Sequence, residues 1–216
     1  MQRRMVMKHS GDKPTRPEIG LTLGVGLTIL SPYYRAFVDS LNFYGHEKVI
    51  HFGSGSGVCS RHIAARLRRG GGHLDCVDIS DRWTRVIRHT LGCYQNISFH
   101  FGDMEDLDLS DDDYDAVVLH FVLHDIPKRN RCRIIATLVN KLKPAGRLLL
   151  REPVASGLKM NELVEIADSS ELHVASLVEH EVAIGQVIDG NFIDIQPYPH
   201  PSGAPAKSMF VKPVAC

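Results

Sequence analysis

Three glycines at alternate positions, Gly53, Gly55 and Gly57, lie in the run HFGSGSG at 51–57, between an apolar stretch and a segment of helical spacing. Backbone without Cβ atoms turns sharply and lets a ligand touch the main chain. Amides at the start of a following helix attract a carboxylate or phosphate. Asp78 closes the next apolar run, where a carboxylate can accept hydrogen bonds from both hydroxyls of a ribose. Strand, glycine loop, helix and acid in that order predict a nucleoside site. A second group comprises His120, His124 and Asp125, at and just after the run YDAVVLHF at 114–121. His124 is the candidate general base, because imidazole titrates near neutrality. The alternative is a residue that packs or caps at a helix start. His120 and His124 have a spacing that binds zinc on a helix, but His120 is expected to end a strand, so no metal site is predicted. Asp111–Asp113 reads as a solvated turn, lacking the ligand alternation and closing Glu of a calcium loop.

The elements that must hold these residues follow from apolar periodicity. Ser31 is expected to cap a helix, with Pro32 at its first position, running through Tyr33–Leu41. KVIHF at 48–52 is a short buried strand, and Cys59–Arg69 a helix with Ile63, Ala64 and Leu67 inward. Strands are expected at His73–Ile79, Ile97–Phe101, Tyr114–Phe121 and Arg147–Arg151, and helices at Asp81–Leu91, Lys128–Leu142 and Asn161–Glu171. Val174–Val178, Gln186–Ile195 and Ser208–Val211 read as closing strands. Alternation of this kind predicts an α/β fold: a doubly wound, mostly parallel sheet with helices on both faces and an antiparallel strand pair at the C-terminal end. Such sheets bind ligands at the carboxyl ends of their strands, where strand order reverses.

The chain has 216 residues, 44% of them hydrophobic, which suits one domain with a sizeable core. Basic and acidic residues balance at 25 each, so nothing argues for nucleic acid or a charged surface as partner. The apolar stretch Ile19 to Leu30 is interrupted and too short for a transmembrane span. Five cysteines without a Cys-x-x-Cys pair argue against disulfides and for a reducing, cytoplasmic setting. Residues 1–18 read as a flexible basic tail, 19–45 as an N-terminal helical lid or cap, and 46–216 as the main domain. Tyr33 and Tyr34 could reach a ligand, while the Phe37, Val38 and Leu41 side could pack on the sheet or meet a second subunit in a homodimer.

The sequence resembles the class I, Rossmann-like S-adenosylmethionine-dependent methyltransferases, and within them the branch with small-molecule and quinone-biosynthesis-type members. Four segments carry the resemblance: VIHFGSGSG at 49–57, CVDIS at 76–80, FGDMEDLDLSDDDYDAVVLHFVLHDI at 101–126 and LKPAGRLLLREP at 142–153. It implies a Rossmann-like domain over 46–216, S-adenosylmethionine as cofactor and a small-molecule methyl acceptor. By position it implies that Gly53, Ser54, Gly55 and Gly57 wrap the methionine part. Asp78 would hold the ribose, Ile79 pack on the adenine, and Asp103 accept from the adenine amino group while the Met104 amide donates to a ring nitrogen. His120 would line the cofactor's amino-acid part and the acceptor entrance. His51 departs from the family, which usually has an acid there to organise the loop and the ammonium end. Imidazole accepts a hydrogen bond when neutral but is cationic below its pKa, so the departure bears on cofactor affinity and its pH dependence.

Methyl transfer from a sulfonium needs alignment and exclusion of water more than a base. The leading reading is therefore a methyltransferase acting on a small molecule. Two others stand beside it: a regulatory protein that binds the nucleoside without turnover, and a dinucleotide-dependent oxidoreductase. Against the last, the loop is Gly-x-Gly-x-Gly, not the dinucleotide Gly-x-Gly-x-x-Gly.

Overall fold

The structure, a computed structural model, describes residues 14–153, 173–174, 178–184, 188–194 and 210–211, those after Glu152 by their backbone. Strands β1 (Lys48–Phe52), β2 (His73–Asp78), β3 (Ile97–Phe101), β4 (Tyr114–His120) and β5 (Leu142–Pro153) lie parallel in the order β3-β2-β1-β4-β5. Order reverses between β1 and β4, the switch point at which open α/β sheets hold ligands. Their apolar runs are buried on both faces. Ile50, Val77, Val117, Leu119, Leu148 and Leu150 join one core cluster, while Val49, Leu74, Cys76, Ala116, Val118 and Leu149 join the other. Alternate residues of a strand point to opposite faces, so each strand feeds both cores.

Helices α1 (Arg16–Leu27), α2 (Ser31–Ser40), α3 (Val58–Leu67), α4 (Asp81–Leu91) and α5 (Lys128–Lys141) complete the layers. α2, α3 and α4 supply Phe37, Ile63, Leu67, Ile87 and Leu91 to one cluster, and α5 supplies Ile134, Ile135 and Leu138 to the other. The sheet is thus doubly wound, as the alternation predicted. At the far side β8 (Ile188–Asp194) runs antiparallel to β5, and β7 (Val178–Ile184) antiparallel to β8. The short β6 (His173–Val174) pairs with β9 (Phe210–Val211). Of the strand expected over Val174–Val178, Val174 belongs to β6 and Val178 to β7, and 175–177 lie outside the described residues.

Element ends differ from expectation where caps decide them. Ser31 is not the cap of α2: Leu30 occupies that position, and the Ser31 hydroxyl lies 3.2 Å from His62 Nε2 instead. α1 is a helix whose bounds the apolar pattern does not announce, because Gly20, Gly24 and Gly26 break its periodicity. Thr15 and Glu18 form a capping box that starts it. Its first residue, Arg16, falls within the 1–18 segment expected as a tail. β5 begins at Leu142 but loops out before Arg147, since Tyr114 pairs with Leu142 and Ala116 already with Arg147. The paired stretch Arg147 to Arg151 matches the expected strand. The helix expected at Asn161–Glu171 and the loop PYPHPSGAP lie outside the described residues. No helix among the described residues is long and apolar enough to cross a membrane.

Candidate functional site

The glycine loop leaves β1 and is tied to the end of β2. Gly53 and Ser54 amides both donate to Val77 O, at 2.9 and 3.1 Å, and the Gly57 amide donates to Ser54 O at 3.0 Å. The Gly55 amide donates to Asp78 Oδ2 at 2.7 Å, and the Ser80 amide to Asp78 Oδ1 at 2.8 Å. Ser80 in turn caps α4 through Trp83 N. Asp78 therefore organises the loop as well as lining the cavity at the end of β2.

All three glycines are left-handed, with φ of +69°, +50° and +80° at Gly53, Gly55 and Gly57. Space separates their roles. A Cβ on Gly53 would come within 2.4 Å of Val122, and one on Gly57 within 2.6 Å of Ile87, so these two allow close packing against the exit of β4 and against α4. A Cβ on Gly55 would meet nothing nearer than 3.9 Å, which leaves its main chain approachable.

A cavity of about 220 Å³ opens at this switch point. Gly53, Gly55, Asp78, Ile79, Asp103 and Asp125 line it, so the structure brings together six of the residues singled out in the sequence. Residues the sequence reading did not assign complete the wall: Phe52, Ser80, Trp83, Phe121, Val122, Ile126 and Ile134. The signal for Trp83 was its place three residues after the capping Ser80, in the first turn of α4. Phe121 carried none, because its role comes from a left-handed backbone, φ +58°, at the end of β4. A non-glycine residue there is strained and persists only where its surroundings hold it. The Phe121 amide donates to Arg151 O at 2.9 Å, which supplies part of that hold.

The other singled-out residues stand around the cavity instead of lining it. Ser54 is buried, its hydroxyl directed at Val77 O at 3.4 Å. Met104 is a core residue in a single 3-10 turn, Met104–Asp106, capped by the Asp103 side chain at Glu105 N. His51 is buried, with Nδ1 2.7 Å from Ser60 Oγ. Burial pushes its pKa down to about 4, so the ring is neutral at physiological pH. His120 is buried beneath α2, and burial, then the Arg151 charge, hold its pKa well below the ordinary value.

His124 sits in a second 3-10 turn, Leu123–Asp125. Glu152, fully buried on β5, clamps this turn. Its Oε1 accepts the amides of Val122 and Leu123 at 2.8 and 2.6 Å, and its Oε2 lies 2.7 Å from His124 Nδ1. The hydrogen bond to Glu152 raises the His124 pKa, against the opposing effect of burial. Arg131 braces the same turn through Ile126 O at 2.8 Å and His124 O at 3.2 Å. The clamp fixes Val122, and Val122 is the side chain that Gly53 packs against.

A second cavity, of about 270 Å³, lies at the opposite, amino-terminal ends of the strands, beside Glu47, Asp115, Lys143 and Arg147. Its charged groups serve the fold. Glu47 accepts the Tyr44 and Gly45 amides, and Asp115 accepts the Lys48 amide and the Lys143 ammonium. The carboxyl-end cavity, smaller but built from the glycine loop, is the candidate site.

Residues 49–146 match a family profile described as "Methyltransferase domain". Among curated relatives, demethylmenaquinone methyltransferase of Clavibacter sepedonicus is 29% identical over 106 residues, covering 49% of this chain and 41% of that protein. Glycine/sarcosine/dimethylglycine N-methyltransferase of Actinopolyspora halophila is 32% identical over 135 residues, covering 60% of this chain and 22% of that protein. The chain thus spans less than half the length of either. A solved S-adenosylmethionine-dependent methyltransferase from Aquifex aeolicus superposes with a TM-score of 0.64 at 13% identity, covering 92% of this chain and 98% of that one, which speaks for the fold alone. Profile, relatives and strand order agree with the glycine-loop, Asp78 and Asp103 arrangement: over residues 49–146 this chain is similar to methyltransferase domains, on a Rossmann-like fold.

Proposed function

We propose that this protein transfers a methyl group from S-adenosylmethionine to a small-molecule, quinone-type acceptor. The observation that carries the reading is the cavity at the β1/β4 switch point, with an approachable glycine main chain, three carboxylates (Asp78, Asp103 and Asp125) and apolar walls. Its volume of about 220 Å³ takes a nucleoside-sized group, below the roughly 300 Å³ at which drug-sized pockets begin. The residues fit that part of the cofactor. Asp78 presents its carboxylate to ribose hydroxyls, Ile79 and Trp83 flank a flat base, and Asp103 accepts from an exocyclic amine. Gly53 and Gly55 lead from there toward the ends of β1 and β4. When bound, S-adenosylmethionine supplies a methyl group already activated on a sulfonium. The chain's own work is to hold the two molecules in line and keep water out. His124 is clamped to Glu152 and stands outside the cavity wall, which favours its positioning role over that of a base.

Quinone-type chemistry comes from the relatives and from the aromatic lining near the end of β4. Isothermal titration with S-adenosylhomocysteine and with NAD tests the cofactor. Binding of the first and not the second is expected, and the reverse would overturn the reading. Turnover on a reduced, unmethylated naphthoquinone, followed by transfer of labelled methyl, tests the reaction. Tight cofactor binding with no transfer to a broad acceptor panel would leave a regulatory binding protein as the better account.

A further inference from the structure

The run from Ile19 to Tyr34 holds no charged residue and no histidine, although the chain as a whole is balanced in charge. It makes up most of α1, the turn after it and the start of α2. Past its first turn α1 presents only Ile, Leu, Val, Gly and Thr, on every side. A helix apolar all round is ordinarily buried. This one is not: Gly26 is its one buried residue. Leu21, Leu27 and, just beyond the helix, Ile29 are 68%, 37% and 53% exposed, three of the five exposed large apolar side chains among the described residues. A Cβ on Gly20 or Gly24 would meet nothing within 4 Å. Single exposed apolar side chains are ordinary, but several along one uncharged stretch mark a surface that binds something.

The seat of α1 fixes where this surface lies. Pro14 O accepts from Arg82 Nη1 at 2.7 Å, and a Cβ on Gly26 would come within 2.7 Å of Val58, the first residue of α3. The chain therefore runs from the first turn of α4 to the first turn of α3 with its other side open. Ser80 and Trp83, at that end of α4, also line the candidate cavity, so the open surface adjoins the site. Cations surround it. Arg16 begins α1, and Arg61 and Arg82 are exposed on α3 and α4. Residues 1–16 hold five Lys or Arg and one acid. The acids of α1 to α4 are all engaged: Glu18 in the Thr15 capping box, Asp39 with Arg35 and Asp81 with Arg85.

We propose that α1 and the turn after it dock on an anionic lipid surface, with Leu21, Leu27 and Ile29 among the acyl chains at headgroup depth and the arginines against the phosphates. This goes beyond the methyl-transfer reading and does not depend on it. The 12 residues of α1 are too few to cross a bilayer, which takes roughly 20, so the helix lies along the interface. Charge decides between lipid and a second copy of the chain. Pairing through α1 would set the cations of one copy against those of the other, whereas an anionic headgroup layer complements them.

The test mixes the full chain with vesicles of phosphatidylcholine alone, or with phosphatidylglycerol as a third of the lipid, and measures binding by co-flotation. Binding is expected to be at least tenfold tighter to the anionic vesicles and to weaken as added salt screens the charges. Leu21→Gln with Ile29→Gln should lower vesicle binding at least tenfold while leaving the melting temperature and S-adenosylhomocysteine affinity unchanged, since both side chains already face water in the free protein. Arg16→Gln with Arg61→Gln should reduce the preference for phosphatidylglycerol at least threefold. No vesicle binding by the unaltered chain overturns the proposal, as does binding that the Leu21 and Ile29 variant keeps in full. A chain that sediments as a dimer without lipid, and as a monomer in that variant, overturns it too, because a second copy would then cover α1.

Discussion

The amide of Gly55 donates to the Asp78 carboxylate at 2.7 Å, so the glycine loop and the end of β2 form one unit. The same carboxylate also accepts from Ser80 and so sets the start of α4, where Trp83 borders the cavity. A residue that seemed in the sequence to serve only the ligand is thus part of the loop's own support.

Asp78→Ala should therefore lose more than a ribose contact. Charge-assisted hydrogen bonds contribute about 1.5–3 kcal/mol each, so S-adenosylhomocysteine affinity should fall at least tenfold and thermal stability should fall with it. Asp78→Asn keeps the shape and one carbonyl acceptor, and should retain more stability than affinity. Calorimetry and thermal melts on the two variants separate these effects. Unchanged affinity in both would mean that Asp78 supports the loop without touching the ligand.

Gly53 and Gly55 should answer differently to alanine. Both have positive φ, +69° and +50°, but only at Gly53 would the new Cβ strike a neighbour, Val122 at 2.4 Å. Gly53→Ala should destabilise by about 2–4 kcal/mol, combining backbone strain with overpacking. Gly55→Ala should cost only the backbone strain, about 1–2 kcal/mol, and show its main effect on cofactor affinity. Adding Val122→Ala should partly restore the melting temperature of Gly53→Ala. No restoration would mean that the contact is not what limits the site.

His51 makes stability depend on acid. Its folded pKa of about 4 lies below the unfolded value near 6.5, so the unfolded chain binds more protons between them. Stability should accordingly fall as pH drops from about 6.5 toward 4, by on the order of 2–4 kcal/mol in total. His51→Gln should flatten that part of the profile, measured by denaturant unfolding at stepped pH. An unaltered slope would show that the ring reaches solvent or a partner in solution.

His124 has the opposite sign. Its folded pKa is raised, first by the hydrogen bond to Glu152, so the pair's contribution is complete below the unfolded value near 6.5 and is lost as pH rises through the folded one. Glu152→Gln should remove this dependence and loosen the 122–124 turn, lowering melting temperature at pH 6 more than at pH 9. His124→Ala should reduce turnover through the same loosening, with the drop shared by KM and kcat. A loss confined to kcat, with a lost acid limb in its pH profile, would instead support proton transfer by His124.

Much of this site was legible in the chain because its signals are local. The alternation of apolar runs and helical spacing placed β1 to β4 and α4 to within a residue or so. The glycines and Asp78 declared themselves by lying at strand ends, because backbone freedom and charge at such a place have few other uses. Helix α1 was legible only as part of a helical segment over 19–45, without bounds of its own, since its three glycines blur the periodicity and its Thr15–Glu18 box lies in the stretch read as a tail. What only the tertiary structure decided is which distant groups meet. Glu152 reaches the turn at 122–124 because β5 lies beside β4, and α2 closes over His120 through Phe37 and Tyr34, which lie far from it in the chain. The protonation of His51 was equally out of reach, as the sequence shows an imidazole but not the low dielectric that keeps it neutral. Periodicity and turn chemistry are written in neighbouring residues, whereas partners across a sheet, and the burial they create, depend on strand order and have no local signature.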